Sequence, residues 1–387
     1  MKNRRVSTLK ILTCVLLVGF VSAPAATAAE KKIAVRFLLQ PWFQMEKGGA
    51  PDGESWSKEA FLRRSRIILS GQVSERIRFF VETDIPNWGK NGTWSSEMYI
   101  QDAYVDFTLL QNRGILNSLN VAAGMILLPF SRHNRQSAAS LNTLDYHGDL
   151  IRFLPESHKV WRDTGVEIRG LLFDNHLDVR LGIFNGLHGG GLLNSSVNPK
   201  DFPRFTGRIQ YNVFETEDTF FYGGNYLGSK RILAVGVGLD HQRDAVFVPL
   251  LGGGRLDDAT AFSADLFYDW PLSADVGLLG LFQYFDYGYG TPSPISYSSD
   301  RSGKGFGWEL GLRYQKWGPV FSYERFVPVR VEAESAFDIK NWRFGINYWL
   351  LGHNANIKLE YARLRRKAGD LSFLYRNILT LQTQILF

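Results

Sequence analysis

The stretch that most limits what this chain can become is its last fifteen residues, Phe-Leu-Tyr-Arg-Asn-Ile-Leu-Thr-Leu-Gln-Thr-Gln-Ile-Leu-Phe from Phe373 to Phe387. Counted back from Phe387 in twos, Ile385, Thr383, Leu381 and Leu379 share one face, while Gln384, Gln382 and Thr380 share the other. A period of two is a strand with one apolar and one polar face. Its backbone groups need a neighbouring strand, and an apolar face with no soluble core to cover points to lipid. The rest of the chain is therefore expected to supply a closed sheet.

The same alternation recurs. Strands are predicted over 33–43, 61–73, 77–82, 99–109, 120–130, 163–172, 176–184, 204–213, 231–241, 260–270, 276–287, 306–315, 320–327, 342–348 and 357–364, with 373–387 as the sixteenth. Long and short connections alternate between them, as external loops and periplasmic turns do in an outer-membrane barrel. One segment breaks the rhythm: 214–230 falls where a short turn belongs, yet it is long and carries Phe220, Phe221 and Tyr222. Either the flanking strands run on into it or it hides another strand pair. The fold class expected is all-β, a transmembrane antiparallel β-barrel of about 16 strands with long external loops and short periplasmic turns. Aromatic residues at 14% and 38 glycines suit a barrel with aromatic girdles and tight turns. A soluble sandwich or propeller would need a core or a blade-length repeat, and neither is legible.

At the amino end Lys2, Arg4, Arg5 and Lys10 precede an apolar run over 11–21, followed by Ala26-Thr27-Ala28. This is the pattern of a secretory signal peptide, expected to occupy 1–28 and leave 29–387 as the barrel. Its apolar run is too short to span a bilayer as a helix, and no other stretch is longer. The one cysteine, Cys14, lies within it. A thiolate metal site or a covalent c-type haem is thus not expected, and no cofactor is. The formal charge of +6 falls to +2 once the four cations of the signal are removed, which gives no reason to expect a nucleic-acid partner. Nucleophile-elbow, zinc-protease and phosphate-loop motifs are missing, so an enzyme is not expected either.

With the more apolar face of each strand turned outward, the bore receives Arg64, Arg66, Arg78, Arg204, Arg208, Arg313 and Arg343, with Arg169, Arg180 and Lys358. It also receives Glu82, Asp84, Asp102, Glu167, Asp178, Asp265, Glu309 and Glu360. Such charges either pair across strands, or some arginines stay unpaired and form a basic track whose effect a narrow low-dielectric tube magnifies. The longest connection, 129–161, is the third external loop and holds Arg132, His133, Arg135, Arg152, His158 and Lys159. Its composition fits a solvated loop, or one that folds inward and narrows the pore. The histidine spacings are too wide to mark a metal site, so none is expected.

Phe61-Leu-Arg-Arg-Ser-Arg-Ile, Gln101-Asp-Ala-Tyr-Val-Asp-Phe, Gly124-Met-Ile-Leu-Leu-Pro-Phe-Ser131, Asp163-Thr-Gly-Val-Glu and the closing Phe387 together resemble the phosphate-selective porin O/P family. The resemblance implies a sixteen-stranded homotrimeric barrel with a constricting third loop, passing anions, and would put the constriction among the basic residues between Arg132 and Lys159. The family's rows of lysines leading to the constriction are not matched here, where the predicted walls are low in lysine. The expected function is passive diffusion of small hydrophilic, anionic solutes across the outer membrane of a Gram-negative cell. The alternative is a scaffold that encloses a periplasmic partner protein such as a multihaem electron carrier. Phe387 and its alternating neighbours resemble the carboxyl-terminal signal read by the barrel-assembly machinery, and the outward rows are expected to meet outer-membrane lipid.

Overall fold

Alternation makes these residues strands, and its phase decides what the sheet encloses. The computed structural model describes residues 32–387 except 95–96, 155–156, 189–196, 251–252, 291–301, 330–337 and 369–371. The signal segment expected over 1–28, with Cys14, lies outside the described residues. The first eight strands are β1 (Lys32–Glu46), β2 (Ser57–Ser74), β3 (Ile77–Asp84), β4 (Tyr99–Arg113), β5 (Leu116–Leu127), β6 (Arg162–Leu172), β7 (Leu177–Phe184) and β8 (Arg204–Asn212). The second eight are β9 (Ile232–Leu250), β10 (Gly253–Pro271), β11 (Val276–Tyr289), β12 (Gly303–Tyr314), β13 (Trp317–Pro328), β14 (Ile339–Trp349), β15 (Ala355–Ala368) and β16 (Ser372–Leu386). Each pairs antiparallel with its neighbours in sequence, and β1 pairs with β16 to close a sixteen-strand barrel. Closure leaves no sheet edge without a partner, which a wall facing hydrocarbon requires.

The phase is the one expected. Along the carboxyl-terminal stretch of β16 and the Phe387 that follows it, Leu381, Ile385 and Phe387 are 40%, 51% and 66% exposed, whereas Gln382 and Gln384 are 0% and 1% exposed. At the seam, Phe37 N–H donates to Phe387 O at 2.8 Å and Phe387 N–H donates to Phe37 O at 3.1 Å. The two rings stack with centroids 5.2 Å apart. Deleting Phe387 removes both bonds and the ring pair where the first and last strands must meet. We expect the truncated chain to reach the folded, heat-modifiable form in outer membranes far less often than the full chain; equal yields would show that the residue has no part in closure or assembly.

Two differences from the sequence reading stand out. Strands β9 and β10 run on to Leu250 and from Gly253, past the ends at 241 and 260 expected from the sequence. Their inner side chains explain it, because Val246 and Val248 pack in one apolar cluster with Tyr287 and Tyr289 of β11. The second is the long segment after β8. It hides no strand pair, and the ladder continues only as far as Val213 N–H to Leu233 O at 2.8 Å and Glu215 N–H to Arg231 O at 3.1 Å. Beyond those bonds the segment turns into the bore.

Candidate functional site: the filled bore

Residues 128–154 and 157–161, between β5 and β6, pass through the barrel rather than over it. They begin with Leu128 and Phe130, both fully buried, in a cluster with Leu150, Phe153, Phe285 and Phe326. Burying these side chains against the β11 to β13 wall anchors the loop by the hydrophobic effect. The wall has been thinned to admit it. Leu150 lies over Gly305 and Gly307 of β12, and a Cβ at Gly307 would sit 2.6 Å from Leu150 Cδ1. The Phe130 carbonyl lies over Gly238 of β9 and accepts from Ser263 Oγ at 2.6 Å. Further along, the loop follows β14 to β16 and β1: Asn347 Nδ2 donates to Asn142 O at 2.8 Å, Lys358 Nζ to Leu141 O at 2.6 Å, and Gln384 Nε2 to Ala139 O at 2.8 Å. These bonds give the loop's buried carbonyls the partners they need.

The predicted wall arginines do not stand as one row of free cations. Arg64 bonds Asp145 of the loop at 2.5 Å, Arg66 pairs with Glu82 and with Asp84 at 3.0 Å, Arg204 with Asp240 at 2.6 Å, and Arg208 with Asp265 at 2.7 Å. Arg343 pairs with Glu324. The physical reason is register: inward arginines of one strand meet inward acids one or two strands away or on the loop, and in a desolvated bore charges persist only when so paired. Arg313 caps a turn by donating to Ala274 O at 3.1 Å. Arg78 alone of the seven lies exposed, lining with Asp106, Asn120 and Arg169 a cavity of about 540 Å³ at the short-turn end.

Of the six loop residues, the structure brings Arg132, His133 and Arg135 together on one buried turn, each 0% exposed. Arg152 lies elsewhere, over the Phe326 ring at 3.8 Å. His158 Nδ1 accepts from Trp161 N–H at 3.0 Å, and Lys159 lies over Tyr99 at 4.3 Å.

His133, His147 and Glu309 carry ligand atoms within 4.8 Å of one another, a composition that fits a cation. The hydrogen bonds argue otherwise. His147 N–H donates to His133 Nε2 at 2.7 Å, so the ring proton sits on Nδ1, which faces Gln136 Oε1 at 3.0 Å. A neutral imidazole engaged at both nitrogens has no lone pair left to give a metal. His147 instead lies between two acids, with Nε2 2.9 Å from Glu309 and Nδ1 3.7 Å from Glu324.

The segment 216–228 was not legible as part of the site. It enters the bore from the short-turn end and meets the loop in its middle, where Tyr222 N–H donates to Arg135 O at 3.0 Å and Ser137 N–H to Tyr222 O at 3.0 Å. Arg132 holds Glu217 by both oxygens, at 2.5 and 2.6 Å. Phe220 stacks on Tyr104 at 4.5 Å, and the Arg135 guanidinium lies 4.7 Å from the same ring. The strap then crosses the bore. Asn225 Nδ2 bonds Asn142 Oδ1 at 3.2 Å, Tyr226 N–H donates to Asp269 Oδ2 at 2.7 Å, and the turn between β14 and β15 reaches it through His353 Nε2, 2.7 Å from Asn225 O. Burial pushes His353 down to about 4, so this ring is neutral at pH 7 and donates its Nε2–H to that carbonyl. A turn-position segment of this length rich in aromatic residues was the one available signal; its partners, being far off in sequence, were not.

No family model and no curated protein matches this chain. Among solved structures it is similar to the outer membrane channel DcaP of Acinetobacter baumannii, at 15% identity and a TM-score of 0.58, over 94% of this chain and 100% of that one. It is similar also to an anion-selective porin from Comamonas acidovorans, at 12% identity and a TM-score of 0.56, over 92% and 100%. A third is the trimer form of OmpT, an outer membrane protein of Vibrio cholerae, at 12% identity and a TM-score of 0.54, over 93% and 100%. At such identities the likeness is one of fold.

Proposed function

We propose that this protein is a porin of the Gram-negative outer membrane that passes small hydrophilic solutes, with a preference for anions, and that the filled bore described above is its closed state. The observation that carries the reading is a closed barrel of sixteen strands, apolar outside and lined inside by paired charges. Such a wall needs lipid around it and gives water and ions a path within. The anion preference is supported by Arg132, Arg135, Arg169 and Arg180, which converge where loop and strap meet. Membership of the phosphate-selective porin O/P family rests on the sequence resemblance, and a homotrimer on that resemblance together with the trimeric form of one similar barrel. The scaffold reading is less favoured, because the chain's own loop and strap already fill the space an enclosed partner would take. Planar bilayers holding the purified protein should show rare, stepwise openings whose reversal potential in a salt gradient favours anions. Cation-selective steps would refute the preference, and silence from a variant lacking both loop and strap would refute the porin.

A further inference from the structure

A turn between two strands has no need of a carboxylate in the middle of the bore, yet Glu217 puts one there, fully buried. Besides both Nη atoms of Arg132, its oxygens accept from Gln210 Nε2 at 2.9 Å and from the Tyr226 hydroxyl. Four donors on two oxygens make a complete carboxylate site. The main chain of the strap is held in the same manner. Arg169 donates to Asp218 O at 3.0 Å, Arg180 and Arg135 each to Phe220 O at 3.1 Å, and Arg132 to Gly223 O at 2.9 Å.

The charges of these four arginines are only half answered by the wall. Arg135 and Arg180 share Glu167, and Arg169 and Arg180 share Asp178. The remaining positive charge is met by Glu217 and by carbonyl dipoles of the strap, with the Leu127 carbonyl of β5 accepting from Arg135 at 2.7 Å. Withdrawing the strap alone would strip these closely packed guanidinium groups of the carboxylate and carbonyls that answer their charge, a costly state unless an anion follows.

We infer that this place is the binding site for a carboxylate-bearing solute, and that Glu217 occupies it from within the chain until such a solute takes over the Arg132 fork. The inference rests on the porin reading and deepens it, since the strap then swings toward the short-turn end, where the Val213–Leu233 backbone bond tethers it, and the bore opens. The site favours a planar two-oxygen group. Phe267 covers the flat face of the Arg132 guanidinium, 3.6 Å from ring centroid to Cζ, leaving its in-plane edge for the ligand.

The test is single-channel recording from the full chain in chloride, with succinate, inorganic phosphate or sucrose added. Succinate should raise the open probability about tenfold, the scale of one charged hydrogen-bonded pair, while phosphate and sucrose leave it unchanged. Glu217→Gln turns an amide donor toward Arg132 and should be open without succinate; Glu217→Asp, which keeps the carboxylate, should stay closed. Opening by sucrose or phosphate as strong as by succinate would overturn the carboxylate site, as would a folded Glu217→Gln barrel as closed as the unaltered chain. A strap-deleted barrel that conducts while the full chain ignores succinate sinks this inference alone. A barrel lacking both loop and strap that never conducts sinks the porin reading instead.

Discussion

Replacing residues 216–230 by a two-residue Asn-Gly turn is expected to raise the mean conductance of the barrel severalfold. The flanks are already paired across Val213 and Leu233 and across Glu215 and Arg231, so a tight hairpin turn can close where the ladder now ends. What is lost is the Arg132–Glu217 pair, the Tyr222 bridge to the loop and the crossing to His353, all internal to the bore. The wall strands keep their own registers, so the barrel should still fold. Arg132, Arg135, Arg169 and Arg180 would then face water, and anion preference should sharpen along with conductance. A folded variant that conducts no better than the full chain would show that the strap does not block the path.

Gly238→Val should expel the third loop while leaving the barrel closed. A Cβ at Gly238 would lie 1.7 Å from the Phe130 carbonyl oxygen and 2.8 Å from Ser263 Oγ. The wall cannot yield, because Gly238 is paired on one side with Arg208 and on the other with Ser263. Phe130 must therefore move, and overpacking of this kind costs about 1–3 kcal/mol before the loop's remaining contacts are counted. Limited proteolysis reads the result: cleavage within 128–161 should quicken in Gly238→Val and not in Val237→Ala, whose side chain points to lipid at 43% exposure. Equal protection of both variants would mean that the close approach of Phe130 to β9 does not hold the loop.

The strands were legible because alternation is a local property. Gln382 beside Leu381 states which face is which without reference to any other residue, and the phase found on β16 is the phase read from the sequence. Gly236 and Gly238 fall within a predicted strand, but what would crowd a side chain there, the Arg208 guanidinium and the Phe130 carbonyl, is visible only in the fold. Strand ends were less legible where apolar contacts extend them, as Val246 and Val248 do beside Tyr289.

The sequence by itself determined a closed all-β barrel and its inward and outward rows, since period two and the need to satisfy every backbone group in lipid leave few other outcomes. Only the tertiary structure decided what fills it. Arg132 and Glu217 lie 85 residues apart, on segments with no repeating pattern, and each reads alone as an ordinary loop charge. Whether such charges stay free or find one another depends on where the barrel wall carries their two segments, and that is set by closure of the whole sheet.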